Sequence, residues 1–164
     1  MDLFEYWLDK KEGSTWVKRA LTDSTYMNKP KASHERKTNT ELATLGDAVI
    51  KLCYADLFLD KCEQLSATID PFIRDEWFVT VVAKHYKILE RKDLIDYNDS
   101  SPTAAKCFSD YNYRKPKETS GHNKKESPDK PKATVIEAMI GAIYRETQDL
   151  GSIKTLLKTW TELC

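Results

Sequence analysis

Two acidic side chains interrupt segments of the chain that otherwise suit a protein core. Asp47 lies in TLGDAVIKLCY, where Ala48, Val49 and Ile50 follow it directly. Glu137 lies in KATVIEAMIGAIY, which is apolar on almost every side of a helix. Burying a carboxylate is costly unless a cation compensates its charge. Each acid is therefore either a structural group, which caps a helix or pairs with Lys or Arg, or a ligand for a metal ion.

The two acids gain a common explanation if they face the same ion. Carboxylates that are brought together repel one another unless a cation lies between them, and Mg²⁺ prefers hard oxygen ligands with retained waters. A bound metal ion of this kind can activate water for attack on a phosphodiester. Asp47 and Glu137 together therefore indicate metal-assisted phosphodiester hydrolysis.

Both acids lie on predicted helices. Apolar residues recur at three- and four-residue steps along most of the chain, and no Asn-Gly or Asp-Gly hairpin signal separates alternating runs. The pattern therefore predicts an all-α fold. The predicted helices span residues 2–10, 14–23, 38–62, 70–90, 102–110, 131–147 and 151–163.

Small residues accompany both acids on these helices. Residues three or four positions apart share a helix face. The face of Asp47 carries Thr40, Ala43 and Thr44, and that of Glu137 carries Thr134 and Gly141. Gly46 directly precedes Asp47, and glycine inside a helix costs about 1 kcal/mol relative to alanine. We therefore expect another backbone to approach the helix closely at Gly46.

The composition of the chain is typical of a single soluble domain. The 164 residues suit one domain, and 26 basic and 26 acidic residues give a net charge of zero, so any basic surface must be local. The four cysteines form no CxxC pair and predict neither a zinc site nor a disulfide framework. No apolar run is long enough for a signal peptide or a membrane span. We expect one soluble, cytoplasmic domain over residues 1–164, without membrane contact.

A polar segment precedes the helix that carries Glu137. Residues 111–132 contain three prolines, seven Lys or Arg residues and three acids, which is too polar to bury. We expect a long basic loop there.

Three segments resemble motifs of the ribonuclease III family. TELATLGDAVIKLCYADLF, at 40–58, is similar to the signature helix NERLEFLGDAVL. KATVIEAMIGAIY, at 132–144, is similar to LADVFEAIIGAIY, and RALTDSTYMN, at 19–28, resembles ALTHSSYxNE. The resemblance covers almost the whole chain. It implies a ribonuclease III-like endonuclease domain, a helical bundle that forms a homodimer.

The homodimer implied by the resemblance packs its signature helices across a twofold axis. The small residues Ala43, Gly46 and Ala48 would permit such close contact between two copies of the helix. An ordinary core helix is the alternative explanation of the same residues.

The chain departs from the family at two positions. The usual site has four acids, but Ala43 replaces the glutamate of the first motif and Thr134 the aspartate of the second. Mini-III ribonucleases, a branch that lacks a double-stranded-RNA-binding domain, have LALAYMGDAV and (S/A)TxFEAxxGYLYL, with alanine and threonine at these places and a basic loop before the second motif. Among family branches, Mini-III is therefore the closest in motif pattern. The opening segment and Gly-Ala-Ile-Tyr at 141–144 differ from it.

The resemblance implies a metal-dependent endoribonuclease that cleaves double-stranded RNA, in ribosomal RNA maturation or other RNA processing. Asp47 and Glu137 would be its catalytic and metal-binding residues, with Mg²⁺ as cofactor and Mn²⁺ able to substitute. Thr40 and Thr134 would orient these ligands from a second layer, although they are equally suited to an ordinary helix.

The resemblance also implies that cations of the basic loop contact RNA phosphates. The candidate RNA-binding residues are Arg114, Lys115, Lys117, Lys124, Lys125, Lys130 and Lys132.

Other functions are compatible with the same residues. A ribonuclease III-like protein that has lost its activity could bind structured or ribosomal RNA without cleaving it. A helical protein-interaction module would leave both acids and the basic segment without a role. The basic segment could also be a solvated linker.

Overall fold

The computed structural model describes residues 1–29, 37–91, 94–101, 108 and 129–163. The α-helices of these residues are α1 Leu3–Asp9, α2 Thr15–Ala20, α3 Thr40–Phe58, α4 Leu65–Ile69, α5 Asp75–Trp77, α6 Lys130–Thr147 and α7 Leu150–Thr161. Short 3₁₀ helices lie at Lys11–Gly13, Ser24–Asn28, Asp70–Ile73 and Ile88–Glu90, and a π-helical segment, Phe78–Ala83, continues α5.

The predicted all-α fold is confirmed. Within the described ranges the one β-type contact is an isolated bridge between Thr22 and Asp96, and no strand is formed. The thiols of Cys53 and Cys62 are free. Across the same ranges, no helix is both long and apolar enough to cross a bilayer.

Helix α6 forms the centre of the bundle. Its residues from Ala133 to Ile143 are buried except for Thr134, and α3, α2, α7 and α1 pack around it. This burial is what a helix that is apolar on nearly all sides predicts. Because Glu137 belongs to this central helix, its side chain is largely buried inside the protein.

The middle of the chain differs from the single predicted helix at 70–90. Residues Leu65–Ile69 form a helix that the sequence analysis missed, and Pro71 follows it in a 3₁₀ turn. The backbone of Arg74 is extended, at φ −84° and ψ 145°, so α5 begins afresh at Asp75. Pro71 lies in the first turn of the 3₁₀ segment, where its missing amide hydrogen is tolerated, and the helical path is interrupted three residues later, at Arg74.

Other boundaries also need correction. Helix α3 ends at Phe58, not at 62, and α6 begins at Lys130. The predicted loop at 111–132 was therefore too long at its end, since Lys130 and Lys132 lie in the first turn of α6. Residues 111–128, with five of the candidate RNA-binding residues, lie outside the described ranges, as does nearly all of the predicted helix at 102–110.

Candidate active site

Helices α3 and α6 touch where each has a glycine. A Cβ atom built on Gly46 would lie 1.7 Å from the carbonyl oxygen of Glu137, and one on Gly141 would lie 2.2 Å from the carbonyl oxygen of Leu42. Neither position has room for a side chain. The close approach expected at Gly46 is thus confirmed, and the backbone that approaches is that of the second acid.

This crossing opens a cleft of about 470 Å³ between three parts of the chain. Helix α3 contributes Thr40, Ala43, Thr44, Asp47 and Lys51, helix α6 contributes Lys130, Thr134 and Glu137, and the segment between them contributes Ile73 and Asp75. The structure therefore brings together both acids and both threonines that were singled out in the sequence, along with one predicted RNA-binding lysine.

Asp47 lies at the open side of the cleft. Its side chain is 37% exposed, and its Oδ2 atom accepts a hydrogen bond of 2.7 Å from the ammonium group of Lys51, one turn further along α3. The sequence predicted a buried acid at this position, and that prediction was wrong. Ala48, the next residue, is exposed as well, so this side of α3 faces solvent. Of the apolar residues that directly follow Asp47 in the sequence, only Val49 and Ile50 are buried.

Glu137 lies at the closed side. Its side chain is 9% exposed, and its Oε1 atom lies 3.7 Å from the Nζ atom of Lys130. Burial raises the pKa of Glu137 to about 7, with further increases from the charges of Asp47 and Asp75, while Lys130 lowers it in part. Near neutral pH a positive charge brought into the cleft would therefore ionise this carboxyl group.

Lys130 lies between two carboxylates. Its Nζ atom donates a hydrogen bond of 3.4 Å to Oδ1 of Asp75 and also lies 3.7 Å from Oε1 of Glu137. Burial alone would lower the pKa of Lys130, but the charges of Glu137, Asp75 and Asp47 outweigh that effect and raise it. Lys130 is therefore a fixed cation of the cleft, which differs from the mobile loop residue that the sequence predicted.

Comparison with known families agrees with this geometry. The family described as the Ribonuclease III domain matches residues 40–148, from the first residue of α3 to the residue that follows α6. The chain belongs to the ribonuclease III family. No curated protein and no solved structure matched it significantly. Membership in this family supports endoribonuclease activity on double-stranded RNA, and ribonuclease III enzymes generally depend on a divalent metal ion.

The two predicted threonines occupy different positions in this ribonuclease III domain. Thr134 is half-buried, and its hydroxyl group donates a hydrogen bond of 2.8 Å to the carbonyl oxygen of Lys130. Its oxygen can still accept a hydrogen bond from the cleft. Thr40 is exposed at the first turn of α3, with its carbonyl oxygen bonded to the hydroxyl group of Thr44. Thr134 is thus the better placed of the two to orient a group near Glu137.

The donor set of this ribonuclease III domain fits a largely hydrated ion. Among the described residues no three His, Cys, Asp or Glu side chains are gathered tightly enough to enclose a metal. Asp47 and Glu137 nevertheless line one cleft. Magnesium in proteins is usually held by one or two carboxylates and keeps several waters. A pair of carboxylates in a cleft with room for water meets that requirement.

Lys132 differs from the other candidate RNA-binding residues. It lies in α6 but is only 9% exposed, near Asp129 at the start of the helix. The expectation that it lies on a loop surface was wrong. In the structure Lys132 has little surface to offer to a nucleic acid.

Two charged residues of the cleft, Lys51 and Asp75, were not predicted from the sequence. Lys51 lies four residues after Asp47, and this spacing on a helix was a sufficient signal for their ion pair. Asp75 gave no comparable signal. The sequence predicted one continuous helix at 70–90 and so did not predict the turn at Arg74 that precedes Asp75.

Proposed function

We propose that this ribonuclease III domain is a metal-dependent endoribonuclease that cleaves double-stranded RNA, with Asp47 and Glu137 as its metal-binding carboxylates. One observation carries the proposal. The backbone contact at Gly46 brings a solvent-facing acid and a buried acid into one cleft, and the buried acid has a pKa near 7. Such a carboxyl group is poised to release its proton when a cation arrives.

Each residue of the cleft would have a separate role in the reaction. A bound divalent ion would supply the Lewis acid that polarises the scissile phosphate and activates a water molecule. Glu137, held rigid inside the bundle, fixes the inner side of that site, and Asp47 closes its outer side. Thr134 orients the ligands through its hydroxyl oxygen, Thr40 borders the entrance, and Lys130 offers its ammonium group to a phosphate of the RNA.

We assign the domain to the Mini-III type of this family. Ala43 and Thr134, the residues found where the usual four-acid site has glutamate and aspartate, both line the cleft. The site therefore works with fewer carboxylates, as the Mini-III motif pattern implies. Mg²⁺ is the natural ion for such oxygen ligands and Mn²⁺ the expected substitute. Processing of structured RNA, such as ribosomal RNA maturation, is the corresponding cellular role.

The proposal includes a homodimer, whose contact keeps Ala48 but not Ala43 or Gly46 of the small residues that the sequence predicted for it. Ala43 and Gly46 are buried within the chain, Gly46 directly against α6, so they are not available to a second copy. The free side of α3 carries an apolar stripe instead, in which Leu52 is 56% and Leu59 is 60% exposed. Leu45 and Ala48 continue this stripe toward the cleft. A second copy of α3 would bury it across a twofold axis.

The decisive experiment is cleavage of an end-labelled RNA duplex by the purified protein in Mg²⁺, with EDTA as the metal-free control. Asp47→Asn should abolish cleavage while the protein stays folded. Asp56→Asn is the matched control, because Asp56 lies on the same helix and also pairs with a lysine, Lys154, but outside the cleft. Cleavage that persists in Asp47→Asn would overturn the metal-binding role.

A non-catalytic RNA-binding function is the second candidate. Its supporting observation is that each acid already has a lysine partner, Lys51 for Asp47 and Lys130 for Glu137. Duplex binding by the wild-type protein without any cleavage in Mg²⁺ or Mn²⁺ would favour this function over the first.

A further inference from the structure

Asp75 is a charged residue of the cleft that lies outside both family motifs. The extended backbone of Arg74 interrupts the preceding turn, and Asp75 follows as the first residue of α5. Its partly exposed side chain lines the same cleft as Glu137. The position of this acid is therefore set by a break in the helical path.

The ammonium group of Lys130 spans the space between these two acids. It lies 3.4 Å from Oδ1 of Asp75 and 3.7 Å from Oε1 of Glu137. A lysine side chain has four flexible torsions and loses considerable entropy when it is held in one place. Two anchoring carboxylates restrict it much more than one does. Of the two, Asp75 makes the shorter contact and the hydrogen bond.

We propose that Asp75 is a positioning residue, which holds Lys130 in the cleft so that its ammonium group meets a phosphate of the RNA. The proposal rests on the proposed function, since it concerns how the same cleft receives its substrate. Asp75 itself touches neither the phosphate nor the ion. It acts through Lys130, and its effect should vanish when Lys130 has no charge.

Simple charge counting predicts the opposite effect on RNA binding. Removing an acid from a surface that binds a polyanion should strengthen binding. If Asp75 positions Lys130, removal of its charge should weaken binding, because the phosphate contact is lost. The sign of the change therefore separates positioning from a general electrostatic effect.

The experiment measures duplex-RNA affinity in EDTA over a range of salt, so that cleavage does not interfere. Asp75→Asn should weaken binding by about threefold to tenfold and reduce the slope of log affinity against log salt by up to about one unit, the value of one phosphate contact. Asp75→Glu, which keeps the charge, should retain most of the affinity. Glu76→Gln is the matched control, because it removes an exposed acid from the next position, outside the cleft lining.

The double variant completes the test. With Lys130→Gln already present, Asp75→Asn should cause no further loss of affinity, as expected for two residues that act as one unit.

A gain in affinity in Asp75→Asn, similar to that in Glu76→Gln, would overturn the positioning role, and so would a further loss of affinity in the double variant. If the wild-type protein binds no duplex RNA, the proposed function fails and this inference fails with it. If it binds and cleaves but Asp75→Asn gains affinity, only the inference fails.

Discussion

Gly46 and Glu137 are in backbone contact, so that a methyl group on Gly46 would come within 1.7 Å of the Glu137 carbonyl oxygen. The residue that touches Glu137 is thus the immediate neighbour of Asp47. A side chain at position 46 would have to push the two helices apart, and the two carboxylates would separate with them. The spacing of the candidate active site is therefore set by packing of the main chain.

Replacement of Gly46 by alanine should destabilise the protein by about 3 kcal/mol or more, because a methyl group has to displace backbone atoms in a packed core. Urea unfolding followed by circular dichroism measures the change. Gly13→Ala is the control, since a Cβ atom there would meet nothing within 4 Å. Equal stability of the two variants would contradict the proposed crossing.

Glu137→Gln should change how stability depends on pH. The pKa of Glu137 in the folded protein, about 7, is above its ordinary value of 4.5, so the folded state holds the proton more tightly than the unfolded state. The free energy of unfolding of the wild-type protein should therefore fall as pH rises from about 4.5 to about 7, by up to about 3 kcal/mol at roughly 1.4 kcal/mol per pKa unit. The glutamine variant carries no charge and lacks this decrease.

The measurement is denaturant unfolding in EDTA at pH 5 and pH 8, since a bound metal ion would stabilise the ionised carboxylate. The free energy of unfolding of the variant, relative to that of the wild-type protein, should be higher at pH 8 than at pH 5. Glu63→Gln, at an exposed position, is the control for the general effect of removing an acid. A large loss of stability in Glu137→Gln at pH 8 would indicate instead that the Lys130 ion pair holds the fold together.

Local patterns were sufficient to predict the main helices of the site. The helical spacing around Asp47 and Glu137 and the unusual Gly46 depend only on residues near in sequence, so α3, α6 and a close backbone approach at Gly46 could be predicted. The exposure of Asp47 could not, because it depends on which side of α3 meets α6. A pattern of small and apolar residues on several sides of a helix does not fix that choice.

The charged surroundings of the site depended on tertiary structure. Asp75 reaches the cleft only because the chain turns at Arg74, and such a turn between two helical stretches has a weak local signal. Lys130 was assigned to RNA binding from composition alone. Its two carboxylate partners come from different parts of the fold, at residues 75 and 137, and no local rule relates them.

Leu52→Glu should separate the proposed homodimer into monomers. Leu52 is 56% exposed at the middle of the apolar stripe on α3, and a charge buried between two copies of the helix would be unpaired. Sedimentation equilibrium should give twice 18.9 kDa for the wild-type protein and 18.9 kDa for the variant. Leu150→Glu, at another exposed leucine on α7, should leave the dimer intact. A wild-type monomer at micromolar concentration with full activity would contradict the proposal.

Neutralising the basic segment before α6 should weaken RNA binding without affecting the chemical step. The change replaces five cations by glutamine, namely Arg114, Lys115, Lys117, Lys124 and Lys125. Each lost phosphate contact should remove nearly one unit from the slope of log affinity against log salt, so the loss of three contacts is easily measured by titration of a labelled duplex. Because these residues lie outside both acid-bearing motifs, turnover at saturating RNA should fall far less than affinity. Unchanged affinity and slope would show that the segment is only a linker, and the RNA would then depend on Lys130 and the rest of the cleft for its phosphate contacts.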